Sequence, residues 1–572
     1  MKGFLWGLLI ASNFIFAATA RAAGTDLPNA GSILQQVQPL PAPTFSPNSP
    51  WLLFDKFGDK EKRLLSSETF LLRGITITNN TIFDTSTLSA LVADAQGKTL
   101  ALSQLAELAA RITDYYRSHG YPLARTIIPP QTIEAGVLSF QVIEPRYGKI
   151  TLDNQSQIRD PLLNATLSAL KSGSFVEEFE LDRTLLLLSD IPGIVVVPNL
   201  MRGSENGTSD LVVKTTSGPG ISGNIGLNNH GNKYTGGENL SGSVVINNPF
   251  RRGDTFALNA LTSGAGMNYG SIAYDALLNG YGTHVGGSSS SLRYNFKTSS
   301  RPAGAVNDIF LEGSGTAQVR SLWARQPLLR SRDNNVYGQL KYDRLILRDR
   351  IEVGSTSFAT DRHIDNLTAN LSGDFRDTLI TAGMTSWSLD STLGQLAFDD
   401  PTAQTENAKS TNTIGRFSKL NAGLLHIKDL GERRELVIGF KGQWATTNLD
   451  SSQKMVAGGP YSVRAYATGT LSGDEGYFLS AEFKQPLGVA LNGQWTATAF
   501  IDTATMTINK KTWPMLTSEN HATLSGVGLG INWAGPNQYT GTAYVATPIG
   551  AKSPLGGSVK STQFSIEFQK RF

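Results

Sequence analysis

Between Gly458 and Gly476 the chain reads GGPYSVRAYATGTLSGDEG, a run dominated by glycine and small polar residues, which predicts a loop. One guanidinium, Arg464, sits in it between Val463 and the pair Ala465–Tyr466, with Asp474 and Glu475 about ten residues on. An arginine held among apolar and aromatic neighbours calls for a carboxylate, which its planar fork binds through two hydrogen bonds. That is the chemistry of anchoring, not of turnover. The six histidines, His119, His230, His284, His363, His426 and His521, are scattered singly and have no metal-ligand spacing. GVGLG at 526–530 imitates a phosphate loop, but no helical pattern follows it, so it reads as a strand of small residues. No nucleophile–base arrangement stands out. The expectation is therefore no enzyme, no catalytic residue, no cofactor and no metal. A net charge of +3 on 572 residues argues against a nucleic-acid partner.

The elements that must position Arg464 read as all-β. From Ser217 onward helical periodicity vanishes, and short alternating segments take its place. SLRYNFK sets Leu292, Tyr294 and Phe296 against Arg293, Asn295 and Lys297. VYGQLKYD sets Val336, Leu340 and Tyr342 against Gln339, Lys341 and Asp343, and SIAYDALL sets Ile272, Tyr274 and Leu278 against Ser271 and Asp275. The apolar sets are read as lipid-facing and the charged sets as lining a wet lumen, the pattern of a membrane barrel. The stretch is long enough for 16 antiparallel strands, each with its connection. The end, STQFSIEFQKRF, puts Phe564, Ile566, Phe568 and Phe572 on one face, a last strand that must close against the first because an open edge is too costly in lipid. Four Pro-apolar pairs, at Pro249, Pro327, Pro486 and Pro548, are read as tight turns at the periplasmic end.

Upstream the texture is α+β. LSQLAELAARITDYYRSHGY is the clearest helix, with Leu105, Leu108, Ala109, Ile112 and Tyr116 on one face, Ser103 as its cap and Gly120 as its stop. FLLRGITITN reads as one strand before it, and ARTIIPPQTIEAGVLSFQVIE as two strands after it. A second β-α-α-β-β unit follows from Tyr147, repeating the structure more than the residues. Lys2, the apolar run from Phe4 to Phe16 and the small residues AATARAA read as a cleaved export signal. The absence of cysteine suits a bacterial outer-membrane protein. NAGSILQQVQ is a short amphipathic helix with Ile33, Leu34 and Val37 on one face, followed by the proline-rich PLPAPTFSPNSP. So short a helix must dock somewhere to be stable.

This order of parts resembles the outer-membrane polypeptide-transport superfamily, and within it the two-partner secretion transporters of the filamentous haemagglutinin and haemolysin type. The stretches that carry the resemblance are DRTLLLLSDIPGI, GTSDLVV, NNPFRRGD, ARQPLLRS, VRAY with SGDEG, and FIDTA. It implies a signal peptide at 1–22, a plug helix at 26–38, a Pro-rich linker at 39–66, POTRA domains at 67–145 and 146–216, and a 16-stranded barrel at 217–572. In this family an extracellular loop folds back into the lumen and carries Val-Arg-Gly-Tyr/Phe at its tip, matched here by Val463, Arg464, Ala465 and Tyr466. Its partner motif on an inner strand, Phe-x-Asp-x-Gly, is matched by Phe500, Asp502 and Ala504. Alanine stands in both glycine slots, which bears on the backbone there. The resemblance further implies a large exoprotein partner of adhesin, haemolysin or toxin type. It also implies outer-membrane lipid and lipopolysaccharide around the barrel, and the barrel assembly machinery during biogenesis. The rival readings are an insertase of the same superfamily, expected to carry three or more modules, and a passive porin, which needs neither modules nor plug.

Overall fold

The computed structural model describes residues 27–37, 53–54, 69–133, 135–300, 309–377, 382–516, 518–550 and 562–572. The leader expected at 1–22 and most of the linker expected at 39–66 lie outside the described residues.

In the first small module, Gly74–Thr78 pairs in parallel with Val137–Ile143, whose other edge takes Arg125–Ile127 antiparallel. FLLRGITITN is split, because Thr69–Leu71 leaves this sheet to pair with Thr99–Ala101. The helix Leu102–Ser118 covers the sheet with Leu105, Leu108, Ala109, Ile112 and Tyr116, all buried. Its end is at Gly120, whose φ of +89° only glycine adopts freely. Its start differs from expectation. The helix begins at Leu102, so Ser103 lies inside the first turn, and Gln104 instead reaches back to the Ala101 N–H at 2.9 Å.

The second module has helices Asp160–Leu167 and Glu178–Ser189 on a sheet ordered Leu53–Phe54, Ile194–Arg202, Thr208–Ser217, Arg146–Gln155. The outermost member comes from the linker. Leu53 and Phe54 pair in parallel with Asn199 and Leu200.

The remainder closes into a barrel of 16 antiparallel strands. The first eight are β1 (Ile221–Asn228), β2 (Asn239–Asn247), β3 (Asp254–Thr262), β4 (Met267–Leu277), β5 (His284–Ser300), β6 (Ile309–Arg330), β7 (Asn334–Val353) and β8 (Thr356–Asp377). The others are β9 (Gly383–Phe398), β10 (Gly415–Asp429), β11 (Glu435–Ala445), β12 (Glu475–Ala490), β13 (Gly493–Thr507), β14 (His521–Ala534), β15 (Tyr539–Pro548) and β16 (Gln563–Arg571). Closure runs from β16 to β1, with Phe568 opposite Leu227. Phe564, Ile566, Phe568 and Phe572 are exposed on the outer wall, where lipid covers them. The barrel starts at the module end, so odd-numbered strands run away from the modules. Strands β6 and β8 have 22 residues each, about twice what a tilted strand needs to cross lipid, and so stand beyond it at the far end.

Two readings of the barrel are corrected. Leu292, Tyr294 and Phe296 are 0–3% exposed and point into the lumen, while Arg293, Asn295 and Lys297 face out. Alternation separates two faces without saying which is inside, and here the lumen is partly filled by an apolar helix. Of the Pro-apolar pairs, only Pro249–Phe250 lies in a turn at the module end. Pro327 and Pro486 lie inside β6 and β12, at register shifts that accommodate a residue with no N–H to donate. Pro548 ends β15 at the opposite end of the barrel.

Candidate functional site

The loop between β11 and β12, residues 446–474, turns inward. Met455–Ala457 and Leu471–Gly473 form a small hairpin whose tip carries Arg464. Val463 and Ala465 are fully buried and Tyr466 nearly so, packed with Phe478, Phe500, Ala504, Met506 and Leu524 of the wall. Arg464 donates from Nε and one terminal nitrogen to the two oxygens of Asp502, both at 2.8 Å, and its backbone N–H reaches Asp502 at 3.1 Å. The other terminal nitrogen meets Glu482 at 2.6 Å, and the guanidinium carbon lies 3.5 Å from the Phe500 ring centroid. One arginine thus binds residues of two adjacent strands: Glu482 on β12, Phe500 and Asp502 on β13. The Asp502 side chain is fully buried, so the bidentate pair is what keeps that charge in place.

Two glycines of β14 make the fit possible. A methyl at Gly526 would come 2.4 Å from Cβ of Ala465, and one at Gly528 would strike the Phe500 ring. The GVGLG stretch is therefore a strand with a notch that admits the loop tip. Neither Ala465 nor Ala504 has positive φ, so alanine in the family's glycine slots carries no backbone strain. Asp474 and Glu475 do not meet Arg464. Asp474 accepts from the backbone N–H groups of Leu449 and Lys510 and pairs with Lys454, while Glu475 pairs with Lys510. They fix the base of the loop, not its tip.

Across the lumen, the helix Ala30–Val37 lies against β5, β6 and β7. Ile33, Leu34 and Val37 pack on Leu292, Tyr294, Phe296, Val319, Leu345 and Leu347. Asn29 caps the helix by accepting from the Ser32 N–H at 3.0 Å. The Ala30 N–H donates to Asp349 at 2.7 Å, a carboxylate on the positive end of the helix dipole. Asp349 is itself held by Tyr294 and by Arg362, each at 2.6 Å, and Arg362 also binds Asp450 of the inward loop at 2.6 Å. Ser451 of that loop donates to Asn29 at 2.6 Å. Helix, loop and wall therefore meet at one buried arginine. No spacing in the sequence signals this centre, because only the β7–β8 register brings Asp349 and Arg362 together.

The joint between module 2 and barrel is the other charged contact. Arg330, at the end of β6, binds both oxygens of Asp190 at 2.8 Å, and Arg332 binds Asp182 at 2.6 Å. Burial holds the Asp182 carboxyl above its ordinary range, against the pull of Arg332. Three of the stretches singled out in the sequence converge here: DRTLLLLSDIPGI supplies both aspartates, ARQPLLRS supplies Arg330, and Asn248 of NNPFRRGD donates to the Pro192 carbonyl. Beside the loop tip, on the β11–β16 side of the barrel, lies a cavity of about 990 Å³ lined by both charge signs, including Arg433, Glu435, Glu482, Lys484, Glu567 and Arg571, with Arg464 in its wall.

With this geometry in hand, similarity to known proteins is specific. Residues 70–145 match the family model "POTRA domain, ShlB-type", and residues 207–533 match "Haemolysin secretion/activation protein ShlB/FhaC/HecB". The heme/hemopexin transporter protein HuxB of Haemophilus influenzae (strain 86-028NP) is 28% identical over 479 residues, 82% of each chain. Among solved structures, CdiB from Escherichia coli superposes with a TM-score of 0.67 over 90% of this chain and 93% of its own, at 18% identity. BamA from Haemophilus ducreyi lacking POTRA domains 1–3 reaches 0.50 at 14% identity, over 88% of this chain and all of its own. These two likenesses concern the fold.

Proposed function

The chain belongs to the haemolysin secretion/activation family (ShlB/FhaC/HecB), outer-membrane transporters of two-partner secretion with POTRA domains in the periplasm, and from that premise we propose how its parts divide the work. The partner is a large secreted exoprotein. It arrives unfolded, and an extended segment adds to a module sheet edge, where backbone pairing gives affinity with little demand on sequence. Exposed Val195 and Val197 on module 2, with Leu71 and Val137 on module 1, offer apolar contacts beside those edges. The outer edge of Ile194–Arg202 is already occupied over two residues by Leu53–Phe54, so a partner strand there competes with the linker.

The joint at Arg330 and Arg332 aims module 2 at the lumen, and the charged cavity under Arg464 receives the chain. The helix at Ala30–Val37 is a plug that must leave, whereas the loop tip stays clamped. Lipid and lipopolysaccharide surround the barrel, and the assembly machinery inserts it. No step calls for catalysis. The carrying observation is the clamp of Arg464 on Asp502 and Glu482 in a lumen that also holds the helix Ala30–Val37. The test is co-expression with the cognate exoprotein: deleting residues 70–217 should leave a heat-modifiable barrel in the membrane that secretes nothing. Continued secretion would refute capture by the modules.

A further inference from the structure

On the outer wall, four exposed arginines gather on β5, β6 and β7: Arg293, Arg320, Arg344 and Arg348. They face away from the lumen, since the residues alternating with them, among them Leu292, Val319, Leu345 and Leu347, are buried inside. Arg320 and Arg344 are direct cross-strand partners, and Arg293 and Arg348 both lie opposite Thr316 from its two neighbouring strands. Directly opposed residues hold their Cβ atoms about 5 Å apart, where two like charges destabilise the sheet.

Neighbouring cations of the same wall are neutralised. Lys297 pairs with Glu312 at 2.7 Å, and Arg350 pairs with Asp361. Arg344 lies directly opposite Asp365 on β8 and pairs with it at 3.8 Å, sharing that carboxylate with Tyr342, which donates to it at 2.6 Å. Among the described residues, Arg293 and Arg320 join no ion pair. The arginines ring Thr316 and Gln318, which also face outward and add a hydroxyl and an amide. One step toward the modules on this face come Leu322, Leu340 and Tyr342, which are 41–65% exposed and belong to the lipid band. The cluster therefore stands at the upper rim of that band, on the cell-surface side.

We propose that Arg293, Arg320, Arg344 and Arg348 form a binding site for the phosphate groups of the outer-leaflet glycolipid, lipopolysaccharide. A phosphomonoester placed between Arg320 and Arg344 turns an opposed like-charge pair into two fork-shaped contacts. Acyl chains then run down the wall over Leu322 and Leu340. The inference rests on the outer-membrane placement of the barrel but uses no residue of the lumen, so its failure leaves the secretion reading untouched, and the reverse holds too.

The test uses the full chain purified in detergent, titrated with bis-phosphorylated lipid A and followed by native mass spectrometry. The expected result is retained lipid A, at least tenfold weaker binding in Arg320→Gln/Arg344→Gln, and unchanged binding in Lys297→Gln, each variant checked for heat-modifiable folding. Dephosphorylated lipid A and inorganic phosphate at equal concentration should bind at least tenfold more weakly. Equal binding by the double variant or by dephosphorylated lipid A would overturn the site. Inorganic phosphate binding as tightly as lipid A would make it a free-anion site and overturn the assignment to lipid.

Discussion

The two halves of the lumen hold their occupants in opposite ways. On the β12–β14 side a loop tip is clamped by one arginine to two carboxylates, over a ring and into a notch cut by glycines. On the β5–β8 side a helix of eight residues rests on an apolar seat, with one carboxylate at its N-terminus. Stranding a buried charge typically costs about 3–5 kcal/mol, less in a wet lumen, so the clamp resists release. The helix is too short to persist alone, and its apolar contacts, about 1.5–3 kcal/mol for each buried side chain, are non-directional, so a chain threading the lumen can replace them. On the proposed reading, the difference makes the loop a fixture and the helix a removable part.

The largest expected effect breaks the clamp. Arg464→Ala should lower exoprotein secretion at least tenfold at equal barrel abundance, and Arg464→Lys nearly as much, since an ammonium lacks the fork. Asp502→Ala should match it, and the double variant should be no worse than either single one. Additive defects would mean the two residues act separately. Next comes the notch: Gly526→Ala should reduce secretion several-fold by pushing Ala465 outward, and adding Ala465→Gly should restore it. Without that rescue, Gly526 is not there for the loop.

On the opposite wall the sign reverses. Leu34→Asp and Asp349→Asn should each lengthen planar-bilayer channel openings a few-fold while leaving barrel abundance unchanged, because they loosen the helix and not the barrel. Openings like those of the parent chain would show that the helix does not close the pore.

The smallest effect lies outside the lumen. Burial alone would raise the Glu144 carboxyl, but hydrogen bonds from Thr81, Tyr116 and the Ile82 N–H outweigh it and hold it below 4.5. A depressed carboxylate stabilises the fold above its unfolded value, and that contribution is lost as pH falls through the lower folded value. Thermal unfolding of module 1 should therefore shift downward below pH 4.5, and Glu144→Gln should flatten that dependence. An unchanged slope would remove Glu144 as its source.

Arg464 stood out in the sequence as a lone guanidinium among apolar and aromatic neighbours, while its partner Asp502 was legible only through the family's two motifs, matched by Val463 to Tyr466 and by Phe500 and Asp502. Glu482 was not, because only the pairing of Glu482 with Phe500 across β12 and β13 brings it to Arg464. Arg362 and Asp349 were hidden for the same reason. The helix at Ile33, Leu34 and Val37 could be read from its period, but its seat was assigned to lipid, because a lumen that holds an apolar helix has an apolar wall. Arg330 lay in a stretch already noted, and its role needed the partner aspartate in another domain.

The most direct test exploits a chain with no cysteine. The Asn29 and Ser451 side chains are in contact, so Asn29→Cys/Ser451→Cys places one thiol on the helix entry and one on the loop, and a disulfide formed between them ties the two together. Exoprotein secretion is then measured in oxidised and reduced cells at equal barrel abundance. A removable helix beside a fixed loop predicts no secretion when oxidised and recovery when reduced. Equal secretion in both states, with the disulfide shown to be formed, would contradict it.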